Sequence, residues 1–94
     1  MPRASWNGTV IAESNRCIVV ECNQYFPPET VNHDFLRASK THTLCAWKGM
    51  ASYYDVVVND ESIKDAAWYY PQTKAEAQHI KGYIAFWTGV KVEI

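Results

Sequence analysis

Apolar residues along this chain recur mostly with the period of two that belongs to strands, and helical periodicity is scarce. The alternation is clearest near the C-terminal end. Val90-Lys91-Val92-Glu93-Ile94 puts three apolar residues on one side, turned inward, and two charges on the other. Gly82 to Trp87 and a Thr88-Gly89 turn precede it, which predicts a hairpin. Trp6-Asn7-Gly8-Thr9 carries Asn-Gly, the strongest two-residue hairpin signal, because both central positions need positive φ. It pairs Trp6 with Thr9 and Ala4 with Ile11. Arg16 to Glu21 is β-branched and reads as the next strand.

Ala51 to Val58 and Ile63 to Tyr70 flank a polar turn, Asn59 to Ser62. With Asp60-Glu61 as a two-residue loop, Tyr53 faces Trp68, Asp55 faces Ala66 and Ala51 faces Tyr70, all on one side. Tyr54, Val56, Val58 and Ile63 take the other side. Helix is confined to two places. Thr73-x-x-Glu76 is a capping box that predicts a short helix over Lys74 to His79, and a further turn is expected near Thr30 to Leu36. Six or seven short strands with closely spaced turns predict a mainly β fold: one compact antiparallel sandwich or partly open barrel over residues 1–94, with one or two short helices.

Composition narrows the class. The chain has 94 residues, 48% apolar and 20% charged, which suits one globular domain. Thirteen aromatic residues add burial to a small core, each covering roughly 150–250 Å². The net charge is −1 and the cations are scattered, so no nucleic acid partner is expected. Apolar runs fall far short of the ~20 residues that cross a bilayer, so no membrane partner is expected either. The opening MPRASWNGTV has no apolar signal region, and the expected location is cytoplasmic.

Three cysteines, Cys17, Cys22 and Cys45, form no C-x-x-C pair and are expected as free thiols. Only a fortunate fold would gather Cys22, His42 and Cys45 around a metal, so no metal site or cofactor is expected. No Gly-rich phosphate loop, H-E-x-x-H or G-x-S-x-G motif is present.

Two groups of residues carry candidate chemistry. In Thr41 to Gly49, read as a loop, His42 stands three residues before Cys45 and serves as a candidate base for a thiol nucleophile. Lys48 adds positive potential, and Asp55 or Glu21 is placed to orient the imidazole. The competing reading is a loop with an inert, buried cysteine. The second group is aromatic. Tyr53, Trp68 and Tyr70 share a face with Asp55, and a carboxylate is rarely left in a dry core. With Glu21 and Lys48 at its mouth or floor, that face suits a small-molecule pocket for a planar or cationic metabolite. Aromatic residues at alternating positions also build plain cores, which is the alternative for the rest of the set. Tyr25-Phe26-Pro27-Pro28-Glu29 reads as rigid and extended, with Phe26-Pro27 a candidate cis bond.

Several of these segments, taken together, carry a family resemblance. Trp6-Asn7-Gly8, Tyr25-Phe26-Pro27-Pro28-Glu29, Thr41-His42-Thr43, Cys45, Trp47-Lys48-Gly49, Ser52-Tyr53-Tyr54, Ala67-Trp68-Tyr69-Tyr70-Pro71 and His79-Ile80-Lys81-Gly82 fall in order along the chain. The whole chain resembles the bacterial domain of unknown function number 427, a family also labelled nucleotidyltransferase-like. The Gly-Ser and paired-aspartate signature of metal-dependent nucleotidyl transfer is absent. The resemblance implies a β-tent fold of the type seen in methionine sulfoxide reductase B. Proteins of that type hold zinc through paired C-x-x-C motifs, missing here, or use an aromatic cage, as the drug-binding domain of cereblon does. The first expectation is therefore a small-ligand pocket. A Cys45–His42 enzyme and a homodimer formed through the edge strand ending at Ile94 stand behind it.

Overall fold

The computed structural model describes residues 1–94, and its architecture follows from three two-residue turns whose central residues all have positive φ. Asn7 and Gly8 (φ 52° and 74°) join β1 (Arg3–Trp6) to β2 (Thr9–Glu13). Glu21 and Cys22 (52° and 68°) join β3 (Ile18–Val20) to β4 (Asn23–Tyr25). Asn59 and Asp60 (51° and 66°) join β6 (Gly49–Val58) to β7 (Glu61–Tyr69). Left-handed turns of this kind match the twist of antiparallel strands, so each closes a tight hairpin.

The remaining strands are β5 (Leu36–Cys45), β8 (Ile84–Phe86) and β9 (Lys91–Glu93). They complete antiparallel sheets in the orders β2-β1-β9, β3-β4 and β5-β6-β7-β8. The fold is mainly β and no sheet closes into a barrel. Helix is limited to 3-10 turns at Pro28–Thr30, His33–Phe35 and Ala75–Ile80, the last two close to the expected positions. None of them is long and apolar enough to cross a membrane.

The four-stranded sheet is covered on both faces. On one, Val56, Val58, Ala67 and Phe86 pack with Ala4, Ile11 and Phe26 from β1, β2 and the segment after β4. On the other, Ala51, Tyr70 and Ala85 pack with Tyr25 of β4 and with Ala77 and Ile80 of the last 3-10 turn. Ala51 and Tyr53 of β6 thus face one core and Tyr54, Val56 and Val58 the other, as strand alternation requires.

Several expectations are corrected. The turn between β6 and β7 is Asn59-Asp60, one residue earlier than expected, so Val58 pairs with Glu61 and Val56 with Ile63. A bulge then gives β7 three residues, Lys64 to Ala66, against Asp55 alone, and Asp65 takes φ 56°. The two extra residues restore the expected partners Tyr53–Trp68 and keep Tyr53, Trp68 and Tyr70 together on one face, whereas Ala66, expected beside them, packs into the first core. A bulge in the first hairpin likewise pairs Ala4 with Ala12 instead of Ile11. Thr41 to Cys45 is strand, not loop. The expected C-terminal hairpin does not form. Strand β8 pairs with β7 while β9 pairs with β1, and of Val90, Val92 and Ile94, expected to turn inward, only Val90 is buried. No peptide bond is cis.

Candidate functional site

On the second face of the large sheet, beside the β3–β4 hairpin, lies an open depression of about 230 Å³. Its walls are Tyr53 of β6, Trp68 of β7, Tyr70 just after β7, Tyr25 of β4 and Trp87 just after β8. Glu21, Asn23 and Lys48 complete the lining. Alternation brings Tyr53, Trp68 and Tyr70 to this face, and the left-handed turn at Glu21-Cys22 hangs Glu21 at its mouth.

The aromatic walls are fixed by mutual contact. The Trp68 indole meets Tyr25 edge-on at 6.1 Å between ring centres and Trp87 at 5.8 Å. Trp68 Nε1 donates to the Tyr25 hydroxyl at 3.2 Å, and Trp87 Nε1 donates to the Asp65 carbonyl at 2.6 Å. Tyr53 shares a 2.9 Å hydrogen bond with Thr43. Trp87 remains 50% exposed, so an indole stands at the rim.

Lys48 is the charged centre. Its side chain is only 6% exposed, whereas that of its ion-pair partner Glu21 is 57% exposed. The ammonium also lies 4.8 Å from the Trp47 ring centre and 5.9 Å from that of Tyr70. Burial opposes the lysine charge, but the hydrogen bond to Glu21, together with the nearby Tyr25 and Cys45 and the Glu21 carboxylate, outweighs it and raises the pKa. Lys48 therefore stays an ammonium and is no amine nucleophile. The same hydrogen bond lowers the Glu21 pKa. Burial raises the pKa values of Tyr25 and Tyr70, so both phenols keep their protons as donors.

The profile of the family described as "Domain of unknown function (DUF427)" matches residues 2–94. The chain belongs to the DUF427 family. Among curated proteins none matches it.

Of the residues singled out in this DUF427 chain, Glu21, Lys48, Tyr53, Trp68 and Tyr70 meet at the depression. Asp55 does not. The bulge turns its carboxylate to the Asp65 N–H at 2.9 Å and to Arg37 at 3.3 Å. His42 and Cys45 are not brought together, because three residues of extended strand set them on opposite faces. His42 Nδ1 meets Ser52 Oγ at 3.2 Å on the exposed side, while Cys45 packs against the second core. Burial acts to raise the Cys45 pKa, but the Lys48 and Trp47 backbone N–H groups and the Lys48 charge bring it below the usual thiol value. Sequence reasoning missed Tyr25, Asn23 and Trp87 as lining residues. Asn23 follows the unread Glu21-Cys22 turn and Tyr25 ends the same hairpin, while Trp87 was assigned to a hairpin that does not form.

Proposed function

We propose that this domain binds a small planar metabolite in the depression between Trp68, Trp87 and Tyr53. The observation that carries the proposal is an indole left half exposed in a concave, aromatic wall beside a buried ammonium. Apolar rings in a small domain are normally spent on the core, and a concave aromatic surface with a few convergent polar groups is the usual form of a small-molecule site. A cationic ligand is the weaker of the two classes expected from sequence, because Lys48 already fills the cation seat over Trp47 and Tyr70. Trp87→Ala tests the reading. The Trp87 side chain makes one hydrogen bond and the residue is half exposed, so the substitution should weaken ligand binding at least tenfold while the thermal midpoint falls only slightly. Equal damage to stability and binding would reduce the indole to a structural element. Trp68→Ala is a poorer probe, since Trp68 also anchors Tyr25 in the second core.

A second reading, thiol chemistry at Cys45, rests on the turn amides of Trp47 and Lys48 aimed at its sulfur. It dispenses with His42. The expected outcome is a pH profile for alkylation by iodoacetamide whose midpoint lies below that of a free cysteine and which His42→Ala leaves unchanged. A midpoint at or above the free-thiol value removes this reading.

A further inference from the structure

The ion pair at the mouth of the depression is asymmetric, and the asymmetry says what the ligand carries. The Lys48 backbone is held in place. Its carbonyl accepts from Lys74 N–H at 3.0 Å, and Gly49 behind it lies so close to Gln72 that an added Cβ would sit 2.8 Å from the Gln72 carbonyl oxygen. The Lys48 side chain is only 6% exposed. Glu21 is the opposite: a carboxylate at the tip of a two-residue hairpin turn, more than half exposed, reaching inward from solvent. A buried cation left without an anion is strongly destabilising, so the seat beside Lys48 must always hold a negative charge. Glu21 can supply it, and can also leave at small cost, because an exposed hairpin tip solvates a carboxylate freely.

We propose, resting on the planar-ligand reading, that the ligand is an aromatic carboxylic acid whose carboxylate takes the seat beside Lys48, and that Glu21 fills this seat while the site is empty. The acid's ring then lies against Trp68 and Trp87. Tyr25 and Tyr70, whose phenols burial keeps protonated at neutral pH, line the same depression and offer further donors to the incoming carboxylate. Glu21 acts as an internal competitor: each bound acid displaces it to water and no charge is stranded. The arrangement also selects against the two nearest alternatives. A neutral amide of the same ring cannot replace the negative charge, and an organic cation is repelled by the fixed ammonium.

Naphthoate and its neutral isostere naphthamide are the probes, titrated calorimetrically against the full chain and against Glu21→Gln and Lys48→Met. Wild type should bind naphthoate at least tenfold more tightly than naphthamide. Glu21→Gln removes the competitor and leaves Lys48 unpaired in the empty site, so the thermal midpoint of the free variant should fall; naphthoate should bind it about tenfold more tightly than wild type, and naphthamide should gain far less. Lys48→Met should abolish the preference for the acid; near-UV circular dichroism reports whether that variant keeps its aromatic packing, and the Glu21→Gln result decides alone if it does not. Equal affinity for acid and amide in wild type overturns the carboxylic-acid assignment and leaves the planar-ligand reading standing. Weaker naphthoate binding in Glu21→Gln overturns the competitor role. Failure of both probes to bind overturns the planar-ligand reading together with this one.

Discussion

Asp65 shows how much one residue can organise. It sits in the left-handed region at φ 56°, in the middle of the β7 bulge, a conformation an aspartate tolerates better than most side chains. Its carboxylate accepts from Ser39 Oγ at 2.5 Å and from Thr41 Oγ1 at 2.7 Å, tying β7 across to β5. Its N–H donates to Asp55, and its carbonyl holds the Trp87 indole. The Ser39 hydrogen bond, and then that of Thr41, hold its carboxyl below the usual range against partial burial. A depressed folded-state pKa stabilises the protein above the unfolded carboxylate value, and this contribution is lost as pH falls through the folded value. Asp65→Asn keeps the backbone preference, removes the charge and turns one of the two accepting oxygens into a donor. It should cost about 1 kcal/mol at neutral pH, and its urea midpoint should fall less steeply than that of wild type on acidification. Parallel acid profiles for the two proteins would show that the carboxylate contributes nothing to that pH dependence.

At the scale of elements, what the sequence disclosed depended on whether a turn carried its own chemical signal. Asn7-Gly8 did, and β1 and β2 were read with their turn in place. Glu21-Cys22 and Asn59-Asp60 have the same left-handed geometry without glycine. The first was missed, hiding β4 and with it Asn23 and Tyr25, and the second was misplaced by one residue. Strand β5 escaped because Ser39, Lys40, Thr41, His42 and Thr43 show no apolar alternation; it is an edge strand whose faces are mostly solvated. The faces of β6 and β7 were legible because a two-residue bulge preserves parity, and this is why Tyr53, Trp68 and Tyr70 were grouped correctly while Asp55, inside the bulge, was not. The β5–β6 turn supplies the element-scale prediction. Gly49 has φ 124°, and its backbone abuts the Gln72 carbonyl. Gly49→Ala should destabilise the fold by about 2 kcal/mol or more, through strain and a clash with backbone that has no side chain to move aside. It should also perturb Lys48. A denaturation midpoint equal to that of wild type would mean that the Gln72 segment yields freely.

The whole molecule has a radius of gyration of 12.4 Å, matching the roughly 12 Å expected of a compact monomer of this length. Its weak point as a monomer is the free edge of the β2-β1-β9 sheet. There β9 offers three exposed residues, Lys91, Val92 and Glu93, followed by an Ile94 that is 90% exposed. Two copies of β9 paired antiparallel about Val92 would set Lys91 of each against Glu93 of the other, so the charges are self-complementary as well as protective. The size of the contact decides between these roles. A three-residue strand falls far short of the roughly 1,200 Å² that a stable interface buries, so the charges act chiefly as guards. The chain should sediment as a monomer at micromolar concentration. Replacing both guards, Lys91→Val with Glu93→Val, leaves five consecutive β-branched residues from Val90 to Ile94 on an open edge, and should produce concentration-dependent association. The reverse pattern, a wild-type dimer that the double substitution dissolves, would make Lys91 and Glu93 the adhesive of a continuous six-stranded sheet.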